Sequence, residues 1–279
     1  MSVSVTTSPG GSPLAGIDAW GASYAAAGAV DARGGTHLHG PVDRVVGVAS
    51  VTKLCSAWAV LLAVEEGAVE LDEPAGPPGA TVRHLLCHAS GLDFDTSSVI
   101  TEPGRRRIYS NTGYDVLATL VATRTGMEFA DYLRDGVLAP LGMTSTALRG
   151  SAAKDLVSNV EDLMRFAAEL RAPRLLHAST AADALRPQWP DLAGVLPGWG
   201  SQDPCLWGLG PELRGTKSPH WTGAGASPGT FGHFGGAGTL LWIDPEAGVT
   251  CVALSDRAFG DWAVAAWPPF SDAVRAAYR

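Results

Sequence analysis

Apolar positions along the chain change their period several times. Ser23–Asp31 (SYAAAGAVD) and Arg44–Ala49 (RVVGVA) are short apolar runs and read as strands with a Gly-rich connection between them. Val51–Gly67 is apolar on nearly all sides, which predicts a central, buried helix ended by Gly67. Thr81–His88 reads as a short helix broken at Ser90-Gly91. Helical spacing returns over Gly113–Arg124, Glu128–Ala139 and Val160–Arg171. Residues 173–230 are turn-rich and carry Trp189, Trp199, Trp207 and Trp221. Thr239–Asp244 and Val249–Ser255 are then apolar strands joined by Pro245-Glu246-Ala247-Gly248, a hairpin signal, and Ser271–Tyr278 closes the chain as a helix. Residues 1–17, rich in Ser, Gly and Pro, read as a floppy leader. Strands from both ends thus bracket a helical middle. The predicted class is α+β: an antiparallel sheet flanked by helices, with a helical subdomain. Residues 1–49 with 222–279 form the discontinuous sheet region and 50–221 the mainly helical one, with the site between them in one catalytic unit.

Composition narrows the function classes. A chain of 279 residues that is 46% hydrophobic has ample core, and 17% charged residues with 34 Gly and 19 Pro suit a compact, turn-rich enzyme. A net charge of −8 argues against nucleic acid or an anionic membrane as partner. Arg105-Arg106-Arg107, the one basic run, is too short to reverse that and is expected to bracket the loop that follows. Met1–Ile17 has no Lys or Arg and no apolar stretch of the secretory type, and no run is long enough to span a bilayer, so the expected compartment is cytoplasmic. Cys55, Cys87, Cys205 and Cys251 lack CxxC spacing and read as buried free thiols rather than zinc ligands. No internal repeat is visible.

The candidate chemistry starts at Ser50-Val51-Thr52-Lys53, where the second apolar strand gives way to the long helix. A serine three residues ahead of a lysine puts both side chains on one helix face. The hydroxyl needs a neighbour to take its proton, and a lysine buried under an apolar helix loses its charge readily enough to assist. A serine on the first turn also has a free backbone N–H to offer a developing oxyanion. The chain has three lysines, and a second match, Ser151-Ala152-Ala153-Lys154, precedes no long apolar helix and reads as a helix cap with a surface lysine. Tyr109-Ser110-Asn111 would aim a phenol and a carboxamide into one cleft if extended, although a buried tyrosine beside a helix-capping asparagine is the better account of the tripeptide taken alone. In Gly232-His233-Phe234-Gly235-Gly236 the glycines let a substrate lie close to the strand, Gly236 N–H offers a second oxyanion donor, and His233 is expected to face the cleft and switch charge near neutral pH.

In this order and spacing the three pieces resemble the serine β-lactamase and penicillin-binding-protein superfamily, nearest its class C β-lactamase-like branch of esterases and D-amino-acid peptidases, whose motifs are Ser-x-x-Lys, Tyr-x-Asn and Lys-Thr-Gly or His-x-Gly. Leu62–Asp72, His84–Leu92, Pro140–Met143 and Phe231–Asp244 are similar to stretches of that family, so the resemblance spans about residues 44–256. It implies a β-lactamase/transpeptidase-like fold and an acyl-enzyme at Ser50. Lys53 and Tyr109 would share the proton transfers, the identity of the general base staying open. Asn111 would hold the acyl side chain or orient Lys53, and the amides of Ser50 and Gly236 would form the oxyanion hole. His233, Phe234 and Gly235 stand where lactam-binding members carry Lys-Thr-Gly, whose lysine and threonine help bind the substrate carboxylate. Weak activity on β-lactams follows, and the short chain implies that lid-like insertions are missing.

Rival patterns are weaker. Gly225-Ala226-Ser227-Pro228-Gly229 matches G-x-S-x-G but lacks a following helix, and its only later histidine is His233. His84 and His88 sit one helical turn apart without a carboxylate between them, so no metal is expected. The tryptophans from 189 to 221 either line an apolar acyl pocket or fill core. The expectation is a soluble, cofactor-free serine hydrolase acting on small carboxylic esters or amides. The alternatives are a biosynthetic acyltransferase, a D-amino-acid peptidase or β-lactamase, and a penicillin-binding-type sensor that does not turn over. Oligomeric state is not encoded in any motif.

Overall fold

The computed structural model describes residues 11–279. The strands are β1 (Ala25–Val30), β2 (Thr36–His39), β3 (Val46–Gly47), β4 (Ala147–Leu148), β5 (Leu156–Ser158), β6 (Gly194–Leu196), β7 (Gly200–Gln202), β8 (Glu212–Leu213), β9 (Phe231–Gly235), β10 (Thr239–Asp244) and β11 (Val249–Ser255). The α-helices are α1 (Thr52–Glu65), α2 (Val82–Leu86), α3 (Thr112–Thr125), α4 (Phe129–Leu133), α5 (Val160–Arg171), α6 (Ala178–Ala184) and α7 (Asp261–Tyr278).

The main sheet is antiparallel in the order β2-β1-β11-β10-β9-β8, so strands from the two ends of the chain are neighbours. Its central strands β10 and β11 are buried along their whole length because both faces are covered. Along β10, Leu240 and Trp242 enter one hydrophobic cluster while Leu241 and Ile243 enter the other, as a strand's two-residue period requires. One cluster lies under α7 and a 3₁₀ helix at Pro13–Trp20; the opposite one holds α1, α3 and α5. Gly28 lets α5 approach β1, since a Cβ there would meet Val160 and Met164. Helix α1 is buried along almost its whole length, and Trp58 donates to the buried Glu169 at 3.3 Å. A small sheet, β3-β5-β4, ties the residues before α1 to the middle of the chain.

Several expectations need correction. Residues 13–17 are not floppy: Ser12 caps the 3₁₀ helix, a proline sits at its start, and Leu14, Ile17 and Trp20 are buried; residues 1–10 of the expected leader lie outside the described residues. The run Arg44–Ala49 yields only β3, because Ala49 already belongs to a 3₁₀ turn. The connection read as Gly-rich carries β2, an edge strand whose polar sequence hides it; His37 there bonds Asp31 and stacks on Tyr278 at 4.2 Å. Helix α7 starts ten residues before Ser271, with Pro268 and Pro269 inside it, held by Trp267 and Phe270 in the core. The turn-rich stretch 173–230 contains α6 and the hairpin β6–β7. All four cysteines are buried and unpaired. Among the described residues no helix is long and apolar enough to cross a membrane.

Candidate active site

Ser50 lies in a 3₁₀ turn, Ala49–Val51, that runs into α1. The turn is pinned from two sides. Thr239 Oγ1 donates to the Val48 carbonyl at 2.8 Å from β10, and Val48 N–H donates to Leu156 O at 3.0 Å on β5. Ala49 has φ +45°, a left-handed conformation costly for a residue with a Cβ and concentrated at functional sites. Gly235 of β9 packs against this turn, where a Cβ would strike Val48 O and Thr239 Oγ1. Among the described residues no acceptor takes the backbone N–H of Ser50 or of Gly236, and both residues line one cleft.

Lys53 is completely buried. Its Nζ donates to Asn111 Oδ1 at 2.5 Å and Ala153 O at 3.0 Å, and lies 4.5 Å from the centroid of the Tyr109 ring and 5.4 Å from that of Tyr114. Asn111 is oriented for this by its other end, since Nδ2 donates to Asp95 Oδ1 at 2.7 Å. Among the described residues no carboxylate bonds Nζ, so burial pushes the lysine well below its ordinary pKa of 10.5, against a weaker opposing pull from Asp115 and Asp95. The second Ser-x-x-Lys match is a turn, not a helix cap, and it seals this site: Ser151 Oγ donates to Asp115 at 2.7 Å, and its neighbour Ala153 supplies the carbonyl that holds Lys53. Lys154 is half exposed and lies 3.7 Å from Asp95.

Tyr109 stands between these groups and β9. Its hydroxyl lies 3.4 Å from His233 Nε2; burial holds the phenol above its usual pKa, and the nearby Ser50 side chain only partly offsets that. His233 does not switch charge near neutral pH. It is buried, and desolvation with Lys53 nearby pulls its pKa down to about 3, so it is a neutral imidazole. Its Nδ1 bonds Phe234 O at 2.7 Å and so carries the proton, leaving Nε2 to accept from Tyr109.

Beyond these groups the cleft is apolar. Phe94, Leu196, Pro197, Trp207, Phe234 and Phe259 line it. Glu212 also reaches it, with its carboxylate closed by Lys217, by His220 Nε2 at 3.0 Å and by Trp221 Nε1 at 2.6 Å. Of the four tryptophans in the turn-rich segment, Trp207 lines the cleft, Trp199 and Trp221 are core, and Trp189 stacks on His84 at 4.1 Å. Ser227 is held by Asp244 in a turn remote from this cleft, and His84 caps α2 through Thr81. The sequence alone gave no warning of Leu196, Phe94 or Phe259, since a lone apolar residue in a loop carries no periodic signal; Ala153 acts through its backbone, which no residue type encodes.

Comparison with known proteins finds relatives both in sequence and in fold. Penicillin-binding protein 4* of Bacillus subtilis (strain 168) is 29% identical over 132 residues, covering 36% of this chain and 29% of that protein. The D-alanyl-D-alanine-carboxypeptidase/endopeptidase AmpH of Escherichia coli (strain K12) is 26% identical over 153 residues, 42% of this chain and 40% of that protein. The matches thus span less than half the length of these curated relatives. A solved β-lactamase from Mycobacterium bovis superposes with a TM-score of 0.93 at 48% identity, covering 96% of this chain and 99% of that one. EstCE1, described as a hydrolase with promiscuous acyltransferase activity, shares the fold at 18% identity, with a TM-score of 0.75 and coverage of 93% and 95%. The Beta-lactamase family model matches residues 15–274, from the first 3₁₀ helix nearly to the end of α7, and the chain belongs to that family.

Proposed function

We propose that the protein is a serine hydrolase that works through an acyl-enzyme on Ser50 and takes small carboxylic esters or amides whose acyl group is apolar and uncharged. The observation that carries this reading is Lys53: fully buried, bound only to neutral acceptors and held far below an ordinary lysine's pKa, one helical turn from a serine at the cleft. An amine in that state accepts a proton. Tyr109, kept a neutral phenol by burial and lining the same cleft as Ser50, is suited to relay rather than to act as a standing phenolate, which favours Lys53 as the ultimate base. Ser50 Oγ would attack the carbonyl carbon as its proton passes toward Lys53. The oxyanion would settle on the N–H groups of Ser50 and Gly236, worth about 3 kcal/mol per donor. Collapse would expel the alcohol or amine with that proton, and water would repeat the sequence to free the acid.

The choice of substrate rests on charge. Among the residues lining the cleft none is a free cation: His233 is neutral, and nearby Lys217 is engaged by Glu212 and by the Leu206 and Leu213 carbonyls. A substrate carboxylate would therefore enter an apolar slot unpaired, at a cost of several kcal/mol. β-Lactams and D-alanyl peptides, which carry one, are expected to be poor substrates.

The test is intact-protein mass resolved in time after mixing with a short-chain activated ester, alongside Ser50→Ala and Tyr109→Phe. The wild type should show a transient acyl adduct with product release. Ser50→Ala should show neither while melting within a few degrees of wild type, and Tyr109→Phe should acylate at least about a hundredfold more slowly, the low end of a general acid–base contribution. Retained turnover in Ser50→Ala removes the acyl-enzyme; benzylpenicillin turned over as fast as the best ester removes the substrate assignment. A stable adduct would instead favour a sensor or a transferase awaiting its acceptor, the second identified by ester products when an alcohol is added.

A further inference from the structure

His88 takes no part in the scheme above, yet it is the most closely engaged neighbour of Tyr109. It lies just after α2, in the segment His84–Leu92, and is fully buried. Its backbone carbonyl accepts from Ile108 N–H at 2.9 Å, and its ring Nδ1 accepts from Ser110 N–H at 3.1 Å. One residue therefore grips the chain immediately before and immediately after Tyr109. Its ring also packs on the Tyr109 ring, centroid to centroid 4.4 Å, on a tyrosine that Lys53 Nζ approaches to 4.5 Å. Two features indicate that the arrangement is held rather than incidental. His88 sits at φ +60°, a left-handed conformation unusual for a histidine, and its Nε2 is buried with no hydrogen-bond partner among the described residues. Accepting from Ser110 requires Nδ1 to be unprotonated, and burial beside Lys53, His233 and Arg107 keeps the ring neutral.

We propose that His88 is a positioning residue: by bracketing Ile108 and Ser110 it fixes the depth at which the Tyr109 hydroxyl meets Ser50. The inference rests on the acyl-enzyme reading and on Tyr109 acting within it. The carbonyl half of the bracket survives any side-chain change, so the side-chain half is the part that can be tested. Asparagine is the informative substitute, because its Oδ1 sits near the place of Nδ1 and it tolerates positive φ. Alanine removes the acceptor and the ring together.

The experiment measures kcat and KM for an activated acetate ester, and the rate of Ser50 labelling by a fluorophosphonate, in the wild type, His88→Ala and His88→Asn, each repeated in a Tyr109→Phe background. His88→Ala should lower kcat and the labelling rate by about 10- to 100-fold, the scale of a small misplacement of a reacting group, with KM within about threefold. His88→Asn should recover most of that loss. In the Tyr109→Phe background the further loss from His88→Ala should shrink to about twofold, because the group being positioned is gone. Should His88→Ala fail to fold, His88→Gln replaces it, since its amide reaches the Nε2 position and misses Ser110. Additive losses, an alanine variant as fast as wild type, or an asparagine variant as slow as alanine would each overturn the proposal. Absence of labelling on the wild type would overturn the acyl-enzyme reading and this inference with it; normal labelling with no effect of His88 overturns the inference alone.

Discussion

In the mechanism proposed above, Lys53 is a single residue that links rate and stability through one proton. Its pKa is lowered from 10.5 by burial, so the folded protein gives up that proton at a lower pH than the unfolded chain does. Two consequences follow, and both have a definite sign. The rate of acylation should rise with pH as Lys53 deprotonates, with its midpoint clearly below 10.5. No falling limb should appear up to pH 10, because Tyr109 is held above the ordinary phenol value. A pH–rate profile for kcat/KM checks this, and a midpoint near 10.5 would mean that the base is an ordinary lysine or another group. Stability moves the same way. Between the folded and unfolded pKa values the unfolded chain binds the extra proton, so folding is penalised at low pH and relieved as pH rises toward 10.5. Wild type should gain on Lys53→Met by up to about 1.4 kcal/mol per pH unit in that window, read from denaturant midpoints at pH 7 and pH 10. The placement of Lys53 one turn from Ser50 was legible from spacing alone. The carbonyl of Ala153 and the Asp95–Asn111 bond were not, because both depend on a loop distant in sequence that folds back onto α1.

At the scale of elements, the cleft depends on holding the least regular part of the chain in place. The segment from Gln188 to Trp207 supplies Leu196, Pro197 and Trp207 to the walls, yet its only ladder is the three-residue pair β6–β7. Arg107 is what ties it down. Buried at 3% exposure, its guanidinium donates to Cys87 O, Cys205 O, Gln188 O and Trp189 O, joining that segment to the end of α2. In the sequence it is the last of three consecutive arginines, a run expected to bracket the following loop with nothing to single out one member; Arg105 and Arg106 are exposed, and only the third turns inward. The period of the pattern predicted α1, α3, α5 and the β10–β11 hairpin because each buries one face or both, α5 against the sheet and α3 against α1 and α2. It was silent where hydrogen bonds from one side chain replace periodic burial. Arg107→Met keeps the stem and removes the donors, leaving the Cys87, Cys205 and Gln188 carbonyls to find partners while Trp189 O keeps the Leu192 N–H, at a cost of about 1–3 kcal/mol for each one left unsatisfied. The expected result is a loss of about 3 kcal/mol in denaturant-measured stability, together with a several-fold rise in KM for longer apolar esters. A variant as stable as wild type would show that the segment is held by its apolar contacts instead.

The molecule as a whole explains why its third motif cannot simply be exchanged for Lys-Thr-Gly. On β9 the side chains of His233 and Phe234 point to opposite faces, so the two positions answer to different parts of the structure. Phe234 belongs to the aromatic cluster under α7, with ring centroids 5.4 Å from Trp199, 5.2 Å from Phe259 and 5.6 Å from Trp267. His233 faces the helical side, where Lys53 already lowers its pKa. Phe234→Thr would leave a gap among large rings at the junction of the sheet and α7, at a cost of about 2–3 kcal/mol for a partly buried phenylalanine. His233→Lys would set a second amine beside Lys53 in the same buried space, where desolvation and mutual repulsion hold both neutral. A neutral amine attracts no carboxylate. The double variant should therefore melt roughly 5–10 °C lower, on the usual scale of 2–4 °C per kcal/mol for a protein of this size. Its preference for an uncharged butyrate ester over a hemisuccinate ester of matched length should stay within about threefold of wild type, well under the tenfold that 1.4 kcal/mol of differential binding would produce. Thermal melts and kcat/KM ratios for the two esters decide it. A stable double variant that favours the hemisuccinate would place selectivity in those two side chains alone, and would contradict an account in which the apolar walls and the buried Lys53 set it together.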